Sequence, residues 1–374
     1  MFSSKGNFSL NSRPGEKTLK PLFFIDQTGA DLIKCKQHTR RTACPHGECS
    51  SRARFFHLMA PNDKINYEKP WIPIGKQIEK LKERGLLFLD EQDAAQFLEH
   101  INYYRFTGYS LAFQTVTDGP SRERRFQAGV TFNDIQNIYY FDRQLRDLFS
   151  ESLESIELDL RANIAYSFGE KYGAFGHTKE TNFFKPSHTQ ENGLTHEQWL
   201  TKLRQETKRS KELFVRHFET TYCQYPDIPV WVAAEICSFG SLSQMYQGMI
   251  KKDQTGIANR YGMQAECFRS WLHHLVYIRN VCAHHARLWD KTVAIKPELP
   301  PSKIWEALAP CRHLLFTSVM IQRWMLTRCS GDLPVAQKWR TGMVLLMDDI
   351  VNRYPMVQRV MGFPENWKTS PLWN

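Results

Sequence analysis

The residues best suited to chemistry lie in one segment, Cys267 to Asp290, whose sequence CFRSWLHHLVYIRNVCAHHARLWD holds four histidines, three arginines and an asparagine. The segment is free of glycine and proline, so it reads as a single helix. At about 100° per residue, Asn280, His284 and Arg287 fall within about 60° of one another, on a stripe continued backwards by Tyr277 and His273. Arg279 sits one position off that stripe. One helix therefore presents an arginine, an asparagine and a histidine to adjoining parts of one groove. An imidazole titrates near neutrality and can move protons. A forked, permanently charged guanidinium can hold a phosphate and stabilise the extra charge of a transition state, and an amide can orient either group. Together they suit metal-independent RNA cleavage, in which the ribose 2′-OH attacks its own phosphate and leaves a 2′,3′-cyclic phosphate and a 5′-OH. Such chemistry requires neither a metal nor a cofactor.

The Arg-x4-His spacing says little by itself, because it occurs four times, as Arg41/His46, Arg52/His57, Arg269/His274 and Arg279/His284. Only the last pair carries an asparagine directly after the arginine. The same residues would also serve a polar contact between helices, with the histidine hydrogen-bonded in an interface. His285 is an alternate proton carrier and Arg287 an accessory cation. Cys282 reads as a core thiol, since no base is placed for it.

Other groups carry weaker signals. Glu157 and Arg161, one helical turn apart, form either a solvated ion pair or a wall of the groove opposite the signature helix. Tyr103, Tyr104 and Arg105 interleave aromatic and guanidinium groups that can grip unpaired bases, or they simply pack. Lys202, Arg204, Lys208 and Arg209 line a basic helix face able to contact phosphates without sequence choice. Near the amino terminus, CKQHTRRTACPHGEC supplies Cys35, His38, Cys44 and Cys49, a set with the size of a zinc knuckle but not its spacing.

These residues need elements to hold them. The chain has 374 residues, 42% hydrophobic and 13% aromatic, enough to close a substantial core. Residues 1–66, rich in Gly, Ser, Pro and basic clusters, read as a loosely ordered extension, and Met59 would serve equally well as a start. Residues 67–128 read as an amino-terminal helical segment, with helices at Ile74–Leu81 and Glu91–Tyr104. Residues 129–374 read as a helical bundle. Its longest run, Phe132 to Glu170, contains no proline and reads as one helix or two, and further helices are expected at Thr195–Tyr222, to Cys237 with a break at Gly240, at Lys303–Arg328 and at Val335–Asn352. With no convincing β-alternation, the fold class is all-α. No apolar run approaches the ~20 residues of a membrane span, no signal peptide opens the chain, and the nine cysteines are scattered, so cytoplasm is the expected location. A formal charge of +10 favours a polyanionic partner, with nucleic acid first.

The segment RNVCAHHARLW resembles the R-N-x-x-x-H signature of HEPN ribonucleases, in the form found in Abi-like (AbiD/AbiF type) abortive-infection proteins. The likeness extends to KPWIPIGKQIEKLKERGL and INYYRFTGYSLAF at the amino-terminal side, FDRQLRDLFSESLESIELDLR in the centre and MGFPENWKTSPLW at the end, and so runs from Lys69 to Trp373. It implies a HEPN-type bundle and an endoribonuclease toxin of phage defence. In such a toxin two subunits set their signature helices side by side around an RNA groove, often restrained by an inhibitory partner RNA. On that reading Arg279 clamps phosphate, Asn280 orients and His284 transfers protons. Because Arg279 and His284 are about 140° apart on one helix, a homodimer would assemble the pair better than one subunit. Two other readings stand beside it: a non-catalytic RNA-binding module of the same fold, and a DNA-binding regulator using the helices between Lys69 and Tyr104.

Overall fold

The computed structural model describes residues 66–116, 124–183, 194–308, 311–329 and 333–373. The amino-terminal extension and the Cys35, His38, Cys44, Cys49 set lie outside the described residues. So does the greater part of the polar connector between Asp118 and Phe126.

Within the described residues the all-α expectation holds, with fourteen α-helices. Helix α1 spans Ile74–Glu83, α2 Glu91–Ile101 and α3 Tyr103–Ser110. A small antiparallel hairpin follows, β1 Gln114–Val116 with β2 Arg124–Phe126, in the register Gln114 opposite Phe126. Helix α4 then runs from Phe132 to Tyr172. Beyond it come α5 His196–Arg209, α6 Leu213–Thr221, α7 Val230–Ile236, α8 Phe239–Gly248, α9 Lys251–Arg260 and α10 Ala265–Ala283. Helices α11 Lys303–Leu308, α12 Leu315–Leu326, α13 Leu333–Arg353 and α14 Met356–Met361 complete the chain.

Helix α4 is the axis of the bundle. Its start is set by a capping box in which the Thr131 hydroxyl accepts from the Asp134 amide and Asp134 accepts from the Thr131 amide. Ile135, Ile138, Leu145, Phe149, Ile156, Leu160 and Ile164 form a buried seam along it. Against that seam pack α7, α10, α12 and α13. At its amino-terminal end the ring of Phe132 stacks on Phe106 of α3 and meets Phe97 of α2 edge-on, which ties the amino-terminal helices into the same core.

Several helix limits differ from the expectation, each for a local reason. The helix expected at Glu91–Tyr104 breaks at Asn102, which has φ 64° and accepts from the Tyr104 amide to cap α3. Tyr103, Tyr104 and Arg105 therefore open a helix instead of closing one. The run from Thr195 divides at Ser210, and Lys303–Arg328 divides into α11 and α12. The break expected at Gly240 falls at Cys237–Ser238, because the Ser238 hydroxyl caps α8 through the Ser241 amide.

Candidate active site

Helix α10 is buried along Phe268, Trp271, Leu272, Leu275 and Ile278 and carries Arg279 and Asn280 in its last full turn. It stops seven residues before the expected end at Asp290. His284 is the C-cap, and His285 adopts the left-handed conformation at φ 52°. The His285 amide donates to the Cys282 carbonyl at 2.9 Å and the Ala286 amide to the Val281 carbonyl at 3.0 Å. This is a Schellman closure with histidine in place of the usual glycine, and histidine enters that conformation more readily than most residues. The full stripe read from a straight helix is therefore wrong beyond Ala283. Asn280 and His284 remain one turn apart, with the His284 amide donating to the Asn280 carbonyl at 3.0 Å. Arg287 leaves the stripe altogether. Its guanidinium donates to the Gly108 carbonyl of α3, pairs with Asp290 at 2.8 Å and lies over the Tyr109 ring.

An open pocket of about 540 Å³ lies where α4, α7 and the end of α10 meet, lined in part by Glu154, Glu157, Arg161, Glu235, Arg279 and Ala283. Glu157 is only 13% exposed and receives Arg161 at 2.5 Å, while Arg161 also donates to the Ala234 and Glu235 carbonyls at 2.6 Å each. Arg161 thus fastens Glu157 to the carboxyl-terminal end of α7. The other Glu157 oxygen stands 4.0 Å from Arg279 Nε. Arg279 is 43% exposed and donates to the Asn280 side-chain oxygen at 3.4 Å. One face of its guanidinium is steered by a fixed carboxylate while the remainder is open to a ligand. Ala283 is on the pocket wall and exposed His284 follows it directly.

Sequence reasoning missed the residue that holds the chain after His284. Asp142, fully buried on α4, accepts the Leu288 amide at 3.0 Å and the Trp289 amide at 2.8 Å on one oxygen. Its other oxygen takes the Tyr109 hydroxyl at 2.6 Å and the Arg146 guanidinium. Burial pushes this carboxyl up from the ordinary range, against the pull of Arg146, Tyr109 and the two amides. A signal was available: Asp142 occupies the seam 135, 138, 142, 145, 149, where the pattern calls for an apolar residue.

The match to the Abi-like protein family model covers residues 96–290, from within α2 to the acidic partner of Arg287. The chain belongs to the Abi-like protein family. No curated protein and no solved structure matches it. Membership implies abortive-infection phage defence, and the matched stretch contains α3, α4 and α10, the three elements that meet around His284.

Other candidates in this Abi-like protein are placed as follows. Arg105 donates to the His285 carbonyl and lies over the Tyr139 ring, Tyr103 packs on the core, and Tyr104 stands 81% exposed at the start of α3. Arg204 gives its fork to Asp227 at 2.7 and 2.8 Å, tying α5 to the segment before α7, whereas Lys208 and Arg209 are exposed. Burial pushes the Cys282 thiol up to about 12, which keeps it protonated and unreactive. Among the described residues no helix is long and apolar enough to cross a membrane.

The Arg269/His274 pair is structural. His274 is fully buried, with Nδ1 at 2.7 Å from the Ile295 carbonyl and Nε2 at 2.9 Å from the Ser318 hydroxyl. Burial pulls its imidazole down to about 4, and burial does the same to His177. Both are neutral in the fold and take up a proton on unfolding once the pH passes below their ordinary value of 6.5. Stability is therefore lost as pH falls from about 6.5 towards 4. Thermal unfolding midpoints across that window should decline, and His274→Gln should flatten the slope. An equal slope in the variant would remove His274 from this account.

Proposed function

We propose that this Abi-like protein is a metal-independent HEPN-type endoribonuclease toxin acting in the cytoplasm. RNA is cut by attack of a ribose 2′-OH on the adjacent phosphate, which yields 2′,3′-cyclic phosphate and 5′-OH ends. The supporting observation is the end of α10: Arg279, steered but half open, lines a pocket with Ala283, and exposed His284 follows Ala283 directly. Arg279 holds the phosphate and stabilises its added charge, Asn280 orients the guanidinium through its side-chain oxygen, and His284 takes the 2′-OH proton and returns one to the leaving 5′-oxygen. Two copies of the chain place their α10 ends together, so that phosphate clamp and proton carrier come from facing subunits. Exposed Tyr104, Lys208 and Arg209 give the RNA strand further contacts. An inhibitory RNA partner would use the same groove.

The test is incubation of the purified protein with mixed RNA in the presence of chelator, followed by chemical mapping of new ends. Wild type is expected to leave cyclic phosphate and 5′-OH termini. Arg279→Ala should lower the rate by about 10²–10³-fold, the usual loss for one oxyanion-stabilising donor. Binding without cutting, with any co-purifying RNA removed, would assign the chain to the non-catalytic RNA-binding class.

A further inference from the structure

We infer that Asp142 is a positioning residue for the reaction proposed above: it fixes the segment that follows His284, and with it the place from which the imidazole moves protons. The inference rests on that ribonuclease reading for its kinetic consequence and on geometry for the anchoring itself.

The imidazole of His284 is exposed, so packing around the ring does not set its position. The backbone on either side does. On the near side α10 ends one residue earlier in the closure between Val281 and Ala286. On the far side Asp142 collects two consecutive amides, Leu288 and Trp289, on a single oxygen. Arg146, held by the other Asp142 oxygen, also reaches the Ala286 carbonyl at 3.5 Å. From the opposite side Arg105 of α3 holds the His285 carbonyl. Residues 285–289 are thus pinned at four points, and Asp142 organises three of them. A fully buried carboxylate in an otherwise apolar seam is expensive to desolvate, and an apolar residue there would pack as well. What an apolar residue could not do is satisfy the two buried amides of a chain that has just left its helix.

Asparagine is nearly isosteric but converts one oxygen into an N–H2 donor facing other donors, either the amides or the guanidinium and hydroxyl. Asp142→Asn should therefore loosen residues 285–289 while α10 keeps its place. Arg279 lies on α10, upstream of the anchored segment, so phosphate binding should survive. The expected signature is a drop in kcat of about a hundredfold, the cost of displacing a catalytic group by about 1 Å, with KM changed by no more than about threefold. Tyr109→Phe, which deletes a single donor to the same carboxylate, provides a milder variant and should show the same split at smaller amplitude.

Hydrogen exchange of the full chain supplies a second readout that does not depend on cleavage. In Asp142→Asn the amides of Leu288 and Trp289 should exchange at least about tenfold faster, with peptides from α12 unchanged. Retained protection at 288 and 289 would overturn the anchoring, and so would a uniform loss across the whole fold in both variants. A parallel rise in KM with unchanged kcat would overturn the positioning role. Should wild type fail to cut RNA while the exchange result holds, the ribonuclease reading falls and Asp142 remains the anchor of the His284 segment.

Discussion

On the proposed ribonuclease reading, replacing His284 with alanine is expected to abolish measurable RNA cleavage and to leave the protein folded. The fold is insensitive because the side chain is exposed and the helix end is closed by backbone bonds from His285 and Ala286, none of which needs an imidazole. Exposed substitutions that remove no side-chain cap or core contact usually change stability by less than about 0.5 kcal/mol. On that reading the rate is sensitive because the attacking 2′-OH must lose a proton and the leaving oxygen must gain one, and loss of a positioned acid–base group costs about 10²–10⁴-fold. His285 is the internal comparison. Its backbone is left-handed at φ 52°, its amide and carbonyl are both engaged, and glycine fits that conformation at least as well. His285→Gly should cost far less activity than His284→Ala at equal melting temperature. If the order reverses, the proton carrier is His285 and the role given to its neighbour is wrong.

Sequence and structure agree where a repeating pattern spans many residues. The 41-residue α4 was legible because its buried positions recur with helical spacing and no proline or glycine interrupts the run before its last turn. They part where a single residue decides the outcome. The end of α10 was invisible, since it occurs at a histidine and not at a glycine or proline, and a straight-helix reading carried Arg287 into a site it does not reach. Asn102 splits α2 from α3 through one side-chain cap, and α3 then carries Arg105 to the His285 carbonyl. At the candidate site, Arg279, Asn280 and His284 were singled out from their types and from the family signature they resemble. The placement of Glu157 and Arg161 beside Arg279 was open to sequence only as one alternative, because contact across two helices leaves no periodic trace. Asp142 did leave one, a charge in an apolar seam, and it marks the kind of exception that repays attention in a helical sequence.

Removing the cation beside that charge should produce the largest loss of stability in the molecule. Arg146 is 5% exposed and donates to Asp142 within the seam of α4. Arg146→Ala would leave a fully buried carboxylate facing the Tyr109 hydroxyl and two amides but no counter-ion, and breaking such a pair costs about 3–5 kcal/mol. The pH dependence separates this cause from a simple loss of packing. Burial already raises the Asp142 carboxyl, and Arg146 is the strongest pull against that rise, so its removal moves the group further upwards. Over the interval between the unfolded and the raised folded value, the native variant holds a proton that the unfolded chain has released. Stability therefore increases as pH falls through that interval. This is opposite in sign to the acid loss expected from neutral His274 and His177. Urea midpoints of wild type and variant, measured between pH 8 and pH 5, should accordingly converge on acidification, the variant falling less than the wild type because both share the histidine loss and the variant gains more from Asp142. A gap that stays constant across the series would mean that Arg146 contributes through its packing alone and that the Asp142 carboxyl is already neutral in the wild-type core.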